Sequence, residues 1–473
     1  MPVIRLHVET DRQQPIYMQL YQHFRTEIQE GKQESGSKLP SIRTLAEELK
    51  VSKTTVELAF AQLLAEGYIE SRQRSGYYVA QLEASVIVHS RGYNPVPAKA
   101  DGRKKDAARI EYDFHSASVD PHSFPYKLWR RLSNQATHEV EHDFLRYGGR
   151  RGEAGLCKAL AAYLHRSRGV NCKPEQMIIG AGTQYLIMLL CQLFGVDGRA
   201  IAIEEPGYQD VGKVFRQLGY ELKPIPLQED GLDIQQLIES KAQVVYITPS
   251  HQYPYGMVMP YAKRQRLLQW AQETGGIIIE DDYDGEFRYR GKPIPSLQGL
   301  DTQGNVIYLG TFSKSLMPSI RTGYVVLPER LSALYEEKLP YMEQTVSRLH
   351  QKTLQLLIES GEWERHIRKM RMVYQKKHRA TLDAIHSSMG DYVKVSGQDA
   401  GLHILLDVKS RLTTAELLEK AEEAGVRVYS TAPMWMGENR EQSPKIMLGF
   451  GGLSIEDLQE GVRRLHGAWS KYC

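Results

Sequence analysis

Lys314, in the run GTFSKSLMPSIRTGY (310–324), is placed for covalent chemistry. The stretch before it, NVIYLG (305–310), has the character of a strand that delivers a Ser-x-Lys turn, and Arg321 follows. A partly desolvated amine there can capture an aldehyde, while Thr311, Ser313, turn N–H groups and the Arg321 guanidinium can hold a phosphate. Upstream, IIIEDDYD (277–284) sets Asp281 at a strand end, where a carboxylate can keep a ring nitrogen protonated, with Tyr283 two residues on to meet a ring hydroxyl. GAGTQYLIMLLCQLF (180–194) is a glycine turn opening an apolar helix, so Gly182, Thr183 and Gln184 lie at a helix N-terminus suited to an anion. Tyr208, in EEPGY (204–208), is a flat side chain that can stack on a ring. These are the services that pyridoxal phosphate requires, with Lys314 as the Schiff-base lysine.

Each piece alone is weak. A lysine among serines is usually surface, GAGTQ is not a dinucleotide fingerprint, and EDDYDGE (280–286) suits a solvated turn or a cation site equally well. No Cys/His/Asp/Glu cluster supports a metal, and Cys157, Cys172, Cys191 and Cys473 are scattered, as in a reduced compartment. His251 and His403 fall near the expected pocket, where hydrogen-bonded structural roles are the simpler reading. What carries weight is the order of the pieces along one chain, each at the end of a strand.

The elements that position them alternate. From about 111 onward, helical stretches are separated by MIIG (177–180), AIAIE (200–204), VVYITP (244–249), GIIIED (276–281), NVIYLG and GYVVLP (323–328), which predicts a mostly parallel sheet wrapped by helices. Residues 360–473, with two long helical patterns and HILLDV (403–408), predict a smaller α+β lobe. Residues 81–110 have Pro, Gly and six basic against two acidic side chains in 91–110, including Arg103-Lys104-Lys105, and read as a mobile basic linker. Before it, Tyr17, Leu20, Tyr21, Phe24 and Ile28 share a helical face. Ser41 caps a short helix, and Ser52 caps a third with Val56, Ala59, Phe60, Leu63 and Leu64 inward. GYIESRQRSGYYVA (67–80) then forms two short strands. Three helices and a β-ribbon make a winged helix-turn-helix. Ser52, Lys53, Thr54 and Thr55 would face the major groove, with Arg43 beside them and Arg72, Arg74, Ser75 and Gly76 on the wing.

At 473 residues the chain holds two or three domains. The net charge is only +3, and residues 1–80 carry ten Lys/Arg and ten Asp/Glu, so any DNA affinity depends on where the charges point. There is no signal-like N-terminus and no membrane-length apolar run, which makes the cytoplasm the default expectation.

QPIYMQLYQHFRTEI, LPSIRTLAEELKVSKTTVELAFAQLLAEGYIES and SGYYV closely resemble the DNA-binding domain of GntR-family bacterial regulators, over about residues 12–80. The resemblance implies DNA contacts from Arg43, Ser52, Lys53, Thr54, Thr55 and Ser75-Gly76, with Lys53 standing where arginine is usual. Residues 111–473 resemble a fold-type I pyridoxal-phosphate enzyme of the class I aminotransferase group. That likeness makes Lys314 the imine lysine, Asp281 the ring-nitrogen partner, Tyr283 the ring-hydroxyl donor and Tyr208 the stacking aromatic. It puts Gly182, Thr183, Gln184, Thr311, Ser313 and Arg321 around the phosphate, and has Tyr147, in YGGRRGEAGL, reach a phosphate across a dimer interface. The chain departs from the group at Tyr253, where asparagine is usual, and at Met447, where an arginine grips the substrate carboxylate; Lys445, Arg427 and Arg440 are the candidates to compensate.

Head and body together resemble the MocR (GabR-type) regulators. This implies a head-to-tail homodimer on a double-stranded operator with two half-sites, answering a small-molecule effector. In the branch that recognises γ-aminobutyrate two arginines clasp the carboxylate; this chain has Asp210 at one place and no arginine around Pro433 at the other, which predicts that γ-aminobutyrate is not the effector. Pyridoxal phosphate itself is the first expectation for the signal and a D-alanine-type amino acid the second. The rival reading is an active aminotransferase carrying an appended head, against which the missing carboxylate arginine counts.

Overall fold

The computed structural model describes residues 15–73, 75–81, 110–139, 145–195, 199–289, 295–438, 441 and 443–473. The chain divides into two compact units, Met1–Ala107 and Ala108–Cys473. The expected linker falls almost wholly outside the described residues, as do Arg74 and Arg440.

The first unit has α1 (Ile16–Gln29), α2 (Ile42–Leu49), α3 (Lys53–Ala65), β1 (Ile69–Arg72) and β2 (Gly76–Val79), with β1 and β2 antiparallel. Ser41 and Ser52 cap α2 and α3, each hydroxyl accepting from the N–H three residues on at 3.1 Å. Leu20, Phe24, Leu45, Val56, Phe60 and Leu63 form its core. Leu64 does not join them. It is 40 % exposed, because its neighbour Leu63 already takes the inward position on that turn.

The second unit opens with β3 (Tyr112–Asp113), α4 (Tyr126–Glu139) and α5 (Ala154–Arg168). Then come β4 (Met177–Gly180), α6 (Thr183–Phe194), β5 (Ala200–Glu205), α7 (Gln209–Gln217), β6 (Glu221–Gln228), β7 (Gly231–Leu232), α8 (Ile234–Ser240), β8 (Val244–Ile247), α9 (Tyr261–Thr274), β9 (Ile277–Asp282), α10 (Leu297–Leu300), β10 (Val306–Thr311) and β11 (Gly323–Val326). These strands build one sheet in the order β4-β11-β10-β9-β8-β5-β6-β7. The central run β10-β9-β8-β5-β6 is parallel, and β11 is antiparallel to both its neighbours. The inner parallel strands β8, β9 and β10 are buried on both faces, as a helix-covered sheet requires, whereas β6 toward the sheet's edge is mostly open.

After α11 (Glu329–Lys338) and α12 (Arg348–Glu359), the 28-residue α13 (Glu362–Met389) spans about 42 Å. Trp363 and Ile367 at its start join the core around α5 and α12, while Tyr374, Ile385 and Met389 join the core of the small lobe. That lobe adds β12 (Val393–Ser396), β13 (His403–Val408), α14 (Thr414–Glu423), β14 (Val426–Arg427), β15 (Tyr429–Ser430), β16 (Lys445–Gly449) and α15 (Ile455–Trp469). Its antiparallel sheet runs β12-β13-β16-β15, and β14 pairs in parallel with β3. No described helix is long and apolar enough to cross a membrane.

Candidate functional site

The ends of four strands, β5, β8, β9 and β10, and the start of α6 converge on a cavity of about 270 Å³ lined by Lys314, Asp281, Tyr283, Tyr208, Thr183, Gln184, Thr311, Ser313 and Arg321. The topology explains the convergence: parallel strands end on the same side of their sheet, and side chains just past those ends meet there.

Lys314 follows β10, and its Nζ donates to the Ser116 carbonyl. Burial pushes its ammonium down to about 8, against the pull of Asp284. The neutral amine is the nucleophile, so attachment of an added aldehyde should accelerate as pH rises through about 8 and then level off. Stopped-flow absorbance against pH reads this directly, and a rate independent of pH between 6 and 9 would contradict it.

Asp281 sits at the end of β9, 3 % exposed, with Oδ2 accepting from Tyr246 Oη at 2.5 Å. Its Oδ1 is buried and has no partner among the described residues. Burial lifts the carboxyl to about 7; Tyr246 opposes this, while Asp282, Asp284 and Glu204 add to it. A cationic N–H facing Oδ1 would reverse that penalty and complete the hydrogen bonding.

At the opposite wall Gly182 is the N-cap of α6, with φ +89° and no side-chain cap bond, so first-turn N–H groups face the cavity. A Cβ there would fall 2.5 Å from Arg321 Nη2. The glycine is what lets the guanidinium lie across the helix start. Thr311 Oγ1 accepts from Ser313 N–H at 3.1 Å and lies 2.9 Å from Ser313 Oγ, which folds the turn before Lys314 into a hydroxyl-lined cradle. Helix start, guanidinium and hydroxyls together suit a dianionic phosphate. Tyr208 packs edge-on against Tyr253 with centroids 5.7 Å apart, and Tyr253 packs edge-on against His403. The arrangement can hold a flat, phosphorylated aldehyde with a basic ring nitrogen.

Tyr147 is elsewhere: it is 90 % exposed and borders a separate concavity with Tyr341 and Arg348. Met447 is buried in β16. Lys445 is paired with Asp407 at 2.8 Å and Arg427 with Glu422 at 3.1 Å, and neither lines the cavity. Among the described residues the lysine and arginine of the cavity wall are Lys314 and Arg321.

In the first unit, Lys53 and Thr54 are exposed at the start of α3. The Ser52 and Thr55 hydroxyls lie 2.7 Å apart, engaged with each other in the cap. Arg43 is exposed beside Glu47 at 3.0 Å. Arg72 lies over the Tyr78 ring at 4.3 Å, Ser75 Oγ is 2.7 Å from Tyr78 Oη, and Gly76 has φ +110°.

Residues 16–79 match the bacterial regulatory proteins of the gntR family, and residues 119–465 match aminotransferase class I and II. The chain is 42 % identical over 455 residues to the uncharacterized HTH-type transcriptional regulator YdeL of Bacillus subtilis (strain 168), covering 96 % of this chain and 97 % of that one. It is 32 % identical to the probable rhizopine catabolism regulatory protein MocR of Rhizobium meliloti, covering 98 % and 96 %. The chain belongs to the MocR-type regulators of the GntR family. The fold of its MocR-type body is also that of LysN, the α-aminoadipate aminotransferase of Thermus thermophilus, solved with N-(5'-phosphopyridoxyl)-L-leucine (TM-score 0.68, 27 % identity, 76 % of this chain and 92 % of that one).

The MocR-type cavity also contains residues that sequence reasoning did not select: Ser116, Ala117, Tyr246, Thr248 and Pro318. Tyr246 is the most consequential, since it holds Asp281. Its only signal is a polar-tipped aromatic inside an apolar strand. His403 lines the cavity, with Nε2 2.9 Å from the Pro254 carbonyl oxygen, and burial pushes its imidazolium down to about 3.

Proposed function

We propose that this MocR-type chain binds DNA through residues 1–80 and senses pyridoxal phosphate, or an amine reacting with it, through residues 111–473, with 81–110 as the tether. The observation that carries the reading is Lys314, half-buried with its pKa depressed by desolvation, in a cavity that offers Asp281 Oδ1 unpaired at one end and an uncapped helix start beside Arg321 at the other. Pyridoxal phosphate supplies an aldehyde for the lysine and a ring that withdraws electrons. Lys314 holds the aldehyde carbon, Asp281 the ring nitrogen, Tyr283 the ring oxygen and Tyr208 the ring face. Gly182, Thr183, Gln184, Thr311, Ser313 and Arg321 hold the phosphate. Tyr147, exposed on one protomer, serves the phosphate of its partner in a homodimer. Arg43, Ser52, Lys53, Thr54, Thr55, Arg72, Arg74, Ser75 and Gly76 face a two-half-site operator.

The effector reading follows from charge. With Arg321 committed to phosphate and Met447 at the carboxylate position, a carboxylate effector lacks a cationic partner among the described cavity residues. Asp210 is paired with Lys213 at 2.9 Å, and Pro433 lies in the 3-10 turn Ala432–Met434. Pyridoxal phosphate is therefore the first-choice signal. Operator binding by pure protein should change at least about tenfold on adding it, a coupling of about 1.4 kcal/mol, and γ-aminobutyrate should add nothing. Equal affinity with and without pyridoxal phosphate would refute the sensor. A response to γ-aminobutyrate would refute the effector assignment alone.

A working aminotransferase is the second reading, favoured by the intact Asp281–Tyr246 pair. Sustained turnover with an amino donor and a keto acid would select it.

A further inference from the structure

We propose that His251 and Asp284 form a buried positioning pair that fixes the direction in which the Tyr283 hydroxyl donates into the cavity. The inference rests on the cofactor reading above and adds two residues to it.

His251 and Asp284 are each 1 % exposed. His251 Nδ1 lies 2.8 Å from Asp284 Oδ2 and 3.0 Å from Tyr283 Oη. One ring nitrogen thus meets two oxygens, and the proton inventory decides who donates. An ionised carboxylate only accepts, so the hydrogen between His251 and Asp284 belongs to Nδ1. Nδ1 then has no lone pair to offer, and Tyr283 Oη can only accept from it. The phenol's own hydrogen is left to point elsewhere, and Tyr283 lines the cavity. Without Asp284 the opposite tautomer is open: a bare Nδ1 would take the phenol hydrogen and turn Tyr283 into an acceptor toward the ligand.

Two further observations support this tautomer. His251 Nε2 is buried with no hydrogen-bond partner among the described residues, and a bare lone pair is a less costly orphan there than an N–H. The pair is also clamped by backbone. A Cβ on Gly401 (φ +74°) would fall 2.0 Å from His251 Cε1 and 2.6 Å from Asp284 Oδ2, and one on Gly256 (φ +70°) 3.1 Å from Nε2. His251 has little room to rotate away.

The other titratable groups facing this cluster are His403, its ring 5.1 Å from that of His251, with Lys314 beyond, and Tyr253, Asp281 and Glu204 around Tyr283. A hydrogen bond donated to the cofactor's ring oxygen stabilises negative charge on it. With the cofactor bound through Lys314, such a hydrogen bond from Tyr283 would lower the proton affinity of the lysine nitrogen.

The test is a pH titration of the visible absorbance of the cofactor-loaded protein. Tyr283→Phe should raise the midpoint by about one unit or more, a tenfold change in proton affinity; so should His251→Leu, which leaves the Asp284 carboxylate, able only to accept, to take the phenol hydrogen, and the double variant should move it no further. His251→Asn, whose amide can set an N–H near the Nδ1 position, should return the midpoint toward the wild-type value. If His251→Leu does not hold the cofactor, the comparison passes to His251→Gln, whose amide reaches the Nε2 position instead and should behave as expected for leucine. A midpoint that moves in Tyr283→Phe but in neither the leucine nor the glutamine variant overturns the proposal. So do equal shifts in the asparagine variant and in the leucine or glutamine variant that holds the cofactor, which would mark a packing effect. A wild-type protein without visible absorbance would instead sink the cofactor reading itself.

Discussion

Lys314→Ala protein is expected to leave purification colourless, to retain no cofactor after borohydride reduction and dialysis, and to bind its operator identically with and without pyridoxal phosphate. The helix start at Gly182 and the Arg321 guanidinium remain, so phosphate-driven binding persists in reversible form. Losing the covalent link should weaken retention at least about 100-fold, on the order of 3 kcal/mol. Stability should not fall with it. A partly desolvated ammonium whose pKa is depressed to about 8 is disfavoured in the folded state, and alanine removes that penalty. Equilibrium dialysis and a thermal melt separate the two effects. A Lys314→Ala protein that stays coloured would place the attachment at another amine.

Phe60→Ala should have the opposite profile, abolishing operator binding while sparing the colour. Phe60 is fully buried, and its ring meets Phe24 edge-on at 5.6 Å and Tyr77 edge-on at 5.2 Å, so one side chain joins α1, α3 and the wing. Truncating such a phenylalanine costs about 3–5 kcal/mol. A unit this small has stability near the low end of the ordinary range of about 5–15 kcal/mol, so the loss leaves much of the population unfolded. Operator binding should fall to the non-specific level while visible absorbance stays at the wild-type value, because the body has its own core. Unchanged operator affinity would show that Phe60 does not hold the head together.

The cavity was legible because each contributing motif announces itself locally. A glycine turn before an apolar helix, an acidic pair after a β-branched run and a Ser-x-Lys turn each carry a short-range signal, and sheet topology brings them together. What lacked a local signal stayed hidden. Ser116 meets Lys314 across a sequence separation of 198, and no periodicity marks it. Tyr246 looks like one more core residue of VVYI until the register sets it opposite Ile279, one strand over from Asp281. β6 was missed because Pro224 and Pro226 argue against a strand; it is tolerated beside the short β7, where the sheet ends. In the head the serine caps follow from simple rules, whereas Leu64 shows that an apolar pair on a helix can have one member turned to water.

The pairing of β3 with β14 has a mechanical consequence. Tyr112 and Asp113, the body's first strand, are stitched to Val426 and Arg427 of the small lobe, with Tyr429 Oη donating to Asp113 at 2.8 Å. Tyr112 and Asp113, near the start of the second unit, are therefore fastened to the small lobe, whereas Lys314 follows β10 of the large sheet.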